Sequence, residues 1–311
     1  MKNKLAFLII IIFCFISLIS TENVFSAEDY SLYNENKVIS VYDNNENYIF
    51  SIAMGVSVGD RYISSNNIEY VVREVKGEKA YAEKLGKVNL LADKNIDTKD
   101  IASAAEKMLI AIYHTHNDES YIPGAESENG RGEIHEIGQK LASTLKKEGV
   151  DVLYSDNIHL PHDGAAYERS RATALELARK QPDAIFDIHR DAIPNKEEYL
   201  ENVAGKKISQ IRLVVGRQNP NKKANDKFAK SIKAVSDEHY PGLIRDIFYG
   251  GGAYNQQFAS RALLLEFGSH VTGKNNAISS ASLFSEVLTQ LLYGKNSNLS
   301  KNSKVNERNN V

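Results

Sequence analysis

The sequence predicts an α/β fold: a mostly parallel sheet with helices on both faces, preceded by a small antiparallel β module. Three observations carry this. From residue 107 onward, continuous apolar runs, the mark of strands buried on both faces, alternate with segments of helical periodicity. Before residue 90 the runs are short, β-prone and separated by polar turns. The two regions also differ in chemistry, because all eight histidines fall after residue 113.

Taken in order, Lys2 and Lys4 precede an apolar run from Leu5 to Ile19, and small residues follow at Ser26-Ala27. Residues 1–26 therefore read as a signal peptide or a membrane anchor, since the run is long for the first and slightly short for a span of about 20 residues. Residues 27–37 are polar and make a tether. In 38–90, the runs at Tyr48–Ile52, Arg61–Ile63, Glu69–Val72 and Lys79–Ala82, broken by Gly59-Asp60, Ser65-Asn66-Asn67 and Lys76-Gly77-Glu78, form the small β module. Polar 91–106 is a linker.

The main domain spans 107–294. Met108–Tyr113 is a buried strand; Ile134, Ile137, Leu141 and Leu145 recur at helical spacing, and Gly149 stops that helix. Strand Val150–Tyr154, helix Tyr167–Lys180, strand Ala184–Ile188, strand Ile211–Val215, helix Lys222–Glu238, strand Ala262–Leu265 and helix Ile278–Leu292 continue the series. The Asn-, Ser- and Lys-rich segment 295–311 has the composition of a disordered tail.

Composition narrows the function. With 38 Lys+Arg against 40 Asp+Glu, the net charge of −2 gives no field that would attract a nucleic acid. The single cysteine, Cys14, lies in the apolar N-terminal run, so no disulfide, iron–sulfur or cysteine–zinc site can be built within one chain.

Ligands in open α/β sheets gather at the carboxyl ends of strands. Three predicted strands run into chemistry there: Tyr113–Tyr121 with His114, His116 and Glu119; Asp187–Asp191 with His189 and Arg190; and Leu263–Gly268 with Glu266. Glu133 and Glu136 open the first helix near the same edge. A catalytic zinc site takes three protein ligands and one open position, and a His₂Glu set needs no cysteine. Each residue also has a plain reading: His114 or His116 as a core-capping histidine, His189 as partner of Asp187 or Asp191, Glu266 as partner of Arg261. Their coincidence at successive strand ends favours a site. His135, His159, His162, His239 and His270 read mostly as surface or loop residues, with His162 the best placed of them.

Several ordered motifs resemble the stage II sporulation protein P family of exported cell-wall hydrolases. They are Ile112–Tyr121 with Pro123, Tyr167–Arg171, Asp187–Asp191, Val214–Gly216 with Asn219-Pro220, Tyr240–Arg245, Tyr254–Gln256 and Leu264–Gly268, spread over 108–292. The resemblance implies an amidase-3-like fold and a Zn²⁺-dependent N-acetylmuramoyl-L-alanine amidase, with a possible endopeptidase activity on cross-links. It also implies action in forespore engulfment, on the mother-cell side of the septum, beside stage II sporulation proteins D and M. Carried onto this chain, His116 and His189 are metal ligands and Glu266 the general acid/base. The third ligand is Glu133 or Glu119, and His114 is an alternative first ligand. Arg190, Arg261 and Asn255 are candidate substrate contacts. Gln257-Phe258 and Asp246 depart from the family pattern and bear on local substrate contacts.

Two decoys and one rival remain. Gly55-Val56-Ser57-Val58-Gly59 matches a serine-hydrolase elbow, but that motif must join a strand to a helix and β-prone sequence follows here. His189-Arg190-Asp191 resembles a kinase loop, yet no Asp-Phe-Gly exists in the chain. The rival from a different class is a metal-free wall-binding module of the same fold.

Overall fold

The computed structural model describes residues 37–90 and 108–293. The expected export segment, linker and tail lie outside the described residues, as does the tether apart from Lys37. Among the described residues, no helix is long and apolar enough to cross a membrane.

The first five strands are β1 (Ile39–Asp43), β2 (Tyr48–Ile52), β3 (Arg61–Ile63), β4 (Ile68–Lys76) and β5 (Lys79–Lys87). Gly77, at φ +60°, supplies the positive φ that the two-residue β4–β5 hairpin loop requires. Next come β6 (Leu109–Tyr113), α1 (Ile134–Lys147), β7 (Asp151–Tyr154), α2 (Ala166–Ala178) and β8 (Ala184–Asp191). The hairpin β9 (Leu200–Val203) and β10 (Lys206–Ser209) follows. Then come β11 (Ile211–Gly216), α3 (Lys222–His239), β12 (Ile244–Gly250), β13 (Ala262–Ser269) and α4 (Lys274–Tyr293).

Eleven strands form one sheet in the order β2-β1-β5-β4-β3-β12-β11-β13-β8-β6-β7. Two expectations are corrected here. The sheet is mixed, with five parallel and five antiparallel pairings. The residue 38–90 region is also not a separate antiparallel module: β3 pairs with β12 through Ile63↔Ile247 and Tyr62↔Phe248, and β1 runs parallel to β5. The cause of the reversal is local. Parallel re-entry needs a crossover, usually a helix, but a hairpin follows β8, and β11 lies antiparallel to β13, which is itself parallel to β8.

Helices α1, α3 and α4 cover one face over a core that includes Phe186, Phe228, Phe267 and Phe284; α2 covers the other with Ala111, Tyr113, Ala174, Leu177 and Ile185. In α1, Ile134, Ile137, Leu141 and Leu145 are fully buried, and Gly149 at φ +89° ends it. Strands β8 and β13 are buried at every residue, consistent with a sheet covered on both faces.

Because β6, β7, β8 and β13 run parallel, their carboxyl ends share one edge. Register then fixes neighbours: Glu266 lies beside His189 and Tyr113 beside Asp187. Beneath this edge, the fully buried Arg212 donates to Asp246 at 2.8 Å, Asp191 at 3.0 Å and the Ser51 carbonyl at 3.1 Å. One guanidinium thus ties β2, β8, β11 and β12 together.

Candidate metal centre

At the end of β6 the chain stays buried for seven consecutive polar residues, His114 to Ser120. Burying so many polar groups is costly unless each is bonded or faces a site. They do both. A cavity of about 460 Å³ opens at this edge, with His116, Glu119, His162, His189, Arg190 and Glu266 in its wall.

Glu119 is its hub. Its Oε1 lies 3.6 Å from His116 Nδ1 and 3.7 Å from His189 Nδ1, while its Oε2 accepts the Arg190 backbone N–H at 2.9 Å. Burial opposes the Glu119 charge, but Arg190 and His189 hold its carboxyl well below the usual carboxylate range. On its far side His189 meets Asp187, with Nε2 to Oδ1 at 2.9 Å; Asp187 in turn accepts the Thr115 N–H at 2.8 Å and hydroxyl at 2.6 Å. The ring of His189 is thereby turned so that Nδ1 faces Glu119. Burial opposes protonation of His189 as well, yet the Asp187 and Glu119 carboxylates outweigh it and raise its pKa well above the ordinary value. At His116, burial wins and pushes the imidazole down to about 4, leaving it neutral.

Glu266 completes the group. It is buried, and its Oε2 has no hydrogen-bond partner among the described residues. Burial, with Asp191 and Glu119 adding to it against the opposing His189, raises its pKa well above the usual carboxylate range. Tyr167, in the first turn of α2, lies parallel to His189 at 6.2 Å and edge-on to His116 at 5.5 Å.

These residues fit a zinc ion. His116, His189 and Glu119 bring a two-imidazole, one-carboxylate set of donors to one cavity, and Asp187 and Glu119 hold buried negative charge beside the imidazoles. His116, Glu119 and His162 also place one ligand-capable atom each within 4.8 Å of one another, and so do Asp118, Glu126 and His162.

Of the other predicted site residues, Arg190 lines the cavity and His114, Glu133, Asn255 and Arg261 lie outside its wall. His114 is fully buried and turned away, its Nδ1 3.0 Å from the Ile188 carbonyl and its Nε2 3.0 Å from the Tyr154 hydroxyl. Glu133 receives the Tyr121 N–H at 3.0 Å and pairs with Lys274 at 2.9 Å, outside the cavity wall. Asn255 spends its amide on the Tyr167 carbonyl and the Ser170 hydroxyl, which holds the start of α2. Arg261 begins at the opposite end of β13, five residues before Glu266 and about 16 Å away along an extended strand. Arg190 does line the cavity, but its guanidinium is committed to Glu126 at 2.5 Å and to the Ser120 carbonyl at 3.1 Å. Ser57 sits between β2 and β3, with no helix following it.

Several residues escaped the sequence reading. His135 and His159 are buried rather than on the surface, with hydrogen bonds to Tyr154, Gly130, Thr173 and the His114 carbonyl. Asp118 binds His162 Nδ1 at 2.8 Å. Val38, just before β1, and Ala53 and Met54, just after β2, also line the cavity, and the Ala53 N–H donates to Asp191. No signal in β-prone sequence announces such a contribution.

A family profile described as Stage II sporulation protein P (SpoIIP) matches residues 28–289. The chain belongs to this family. A curated SpoIIP relative from Bacillus subtilis (strain 168), named Stage II sporulation protein P, is 29% identical over 187 residues. That match takes in 53% of this chain and 46% of the relative, so it spans about half the relative's length. Among solved structures, N-acetylmuramoyl-L-alanine amidase AmiC2 of Nostoc punctiforme matches with a TM-score of 0.39 and 13% identity, covering 60% of this chain and 96% of that one. The N-acetylmuramoyl-L-alanine amidase from Clostridium difficile 630 matches at a TM-score of 0.39 and 15% identity, with the same coverage of 60% and 96%.

Proposed function

We propose that this SpoIIP-family chain is an exported, zinc-dependent peptidoglycan hydrolase that cleaves the amide between N-acetylmuramic acid and L-alanine. Peptide cross-links are a possible second substrate. The observation that supports this best is the meeting of His116, Glu119 and His189 in one cavity with Glu266, whose buried Oε2 lacks a hydrogen-bond partner. The family resemblance of the motifs that carry these residues adds the substrate class. By the same resemblance the proposal places the protein at the extracytoplasmic face during engulfment, with stage II sporulation proteins D and M as partners.

In this reading His116, His189 and Glu119 hold the ion. When bound, zinc supplies Lewis acidity toward a carbonyl oxygen and makes a water acidic near neutral pH. The residues of the chain do the rest. Asp187 fixes the His189 ring, and the Arg190 backbone N–H fixes Glu119. Glu266 takes the proton from the attacking water and delivers it to the departing L-alanine nitrogen. The water oxygen thus joins the lactyl carbonyl carbon as the C–N bond breaks, and the nitrogen leaves as an amine.

Incubation of zinc-loaded protein with purified sacculi tests the proposal, with mass spectrometry of the released fragments. Stem peptides with a free L-alanine amine are expected, and Glu266→Gln should lower the rate by about 10²–10⁴-fold. Release of no peptides, or an unchanged Glu266→Gln rate, refutes the hydrolase reading and leaves a wall-binding module.

A further inference from the structure

The cavity holds one more imidazole than a three-ligand site needs. His162 is carried by the loop between β7 and α2, and its side chain is 20% exposed. Its ring stacks on His116 with centroids 4.0 Å apart and an interplanar angle of 26°. A ligand-capable atom of His162 lies within 4.8 Å of those of both His116 and Glu119. On the other side of the ring, Nδ1 donates to Asp118 Oδ1 at 2.8 Å.

The geometry points to His162 as a further zinc ligand, oriented by Asp118. This inference rests on the zinc reading above. A carboxylate accepts but cannot donate, so the Nδ1–H of His162 is fixed by Asp118 and the lone pair is left on Nε2. Metal-bound histidines commonly hand their second ring N–H to a carboxylate in this way, which sets the tautomer and raises ligand basicity. On the other side of Glu119, His189 Nε2 lies 2.9 Å from Asp187 Oδ1, an ion-pair approach without hydrogen-bond geometry, and its Nδ1 faces inward. Asp118 directly precedes Glu119, and both are buried, so one turn of chain supplies a metal donor and the group that aims a second one. With His116, Glu119 and His189, His162 makes four donors, so it competes with water for the last coordination position.

The test measures metal binding by the full chain, purified in detergent, stripped with chelator and titrated with Zn²⁺ against a chromophoric competitor. The wild type should bind one zinc tightly. His162→Ala, His162→Gln and Asp118→Asn should each weaken binding by about tenfold or more. In the Co²⁺-substituted proteins, the two His162 variants should change the visible spectrum through loss of one nitrogen donor. Far-UV circular dichroism of the metal-free variants checks that the fold is kept; His162→Gln retains a polar side chain of similar size and should show the same loss. Unchanged affinity and an unchanged Co²⁺ spectrum in both His162 variants overturn the inference. If His116→Ala abolishes binding while the His162 variants do not weaken it, only the role of His162 falls. If the wild type takes up no zinc, the functional reading falls with it.

Discussion

Lowering the pH from 7 to 5 should destabilise the metal-free protein through His114. Its imidazole is fully buried between β6, α1 and β8, and burial pushes its pKa down to about 3. In the unfolded chain the same group titrates near 6.5, so below that value the unfolded state binds a proton that the folded state refuses. The sign follows directly: there is no penalty above about pH 6.5, it grows as the pH falls, and it levels off below about 3. At pH 5 the gap is about 1.5 pH units, or about 2 kcal/mol at 1.36 kcal/mol per unit. His135 and His159 are depressed by burial as well and act in the same direction. Urea unfolding in chelator at pH 7 and pH 5, for wild type and His114→Gln, isolates the His114 share together with its coupling to His135, whose ring centroid is 4.7 Å away, while the more distant histidines cancel. The wild type should lose about 2 kcal/mol more than the variant over this interval. Equal losses would refute the claim that His114 stays neutral in its buried setting.

The remaining predictions concern single positions. Replacing Glu266 by Gln removes an acid that burial disfavours, so the metal-free variant should melt at or above the wild-type temperature by scanning calorimetry while losing activity. Arg212→Met leaves Asp191 and the buried Asp246 without that guanidinium and should cost about 3–5 kcal/mol in denaturant unfolding. Gly268 has φ +75°, and an added Cβ would lie 2.5 Å from Thr272 Oγ1 and 2.6 Å from Ser209 Cβ, so Gly268→Ala should cost about 1–3 kcal/mol by the same assay. Stripping the protein with a strong chelator should abolish peptide release from sacculi, and added Zn²⁺ should restore it; activity that survives stripping counts against a metal-dependent reaction.

How much of this was legible in the sequence depended on range. Strands β6, β8 and β13 and helices α1 to α4 were readable because their signals are local: apolar runs such as Leu109–Tyr113, and the spacing of Ile134, Ile137, Leu141 and Leu145. Strand β12 was missed because Arg245 and Asp246 interrupt its apolar run, and their burial is explained only by Glu198 and Arg212, far off in sequence. The hairpin β9–β10 went unread for a related reason, since Lys206 and Lys207 face solvent and leave little apolar pattern. Missing that hairpin hid the reversal at β11, and with it the mixed character of the sheet.

The site follows the same division. Topology alone was enough to gather His116, His189 and Glu266, because parallel strands deliver their carboxyl ends to one edge whatever the side chains do. Choosing between His114 and His116 needed the path of the chain beyond β6, because strand alternation alone would put both on one face. Tyr113 is the last residue of β6, and His114 turns back toward Ile188 and Tyr154 while His116, two residues on, faces the cavity. The different settings of Glu119 and Glu133 depend on tertiary partners: Lys274, more than a hundred residues away, pairs with Glu133, whereas Glu119 lies between the two imidazoles. The pairs that orient the rings are of both kinds. Asp187 and His189 are two apart on one strand face, so their contact could be read from period-two geometry. Asp118 and His162 are separated by 44 residues and two loops, and only the folded chain brings them together.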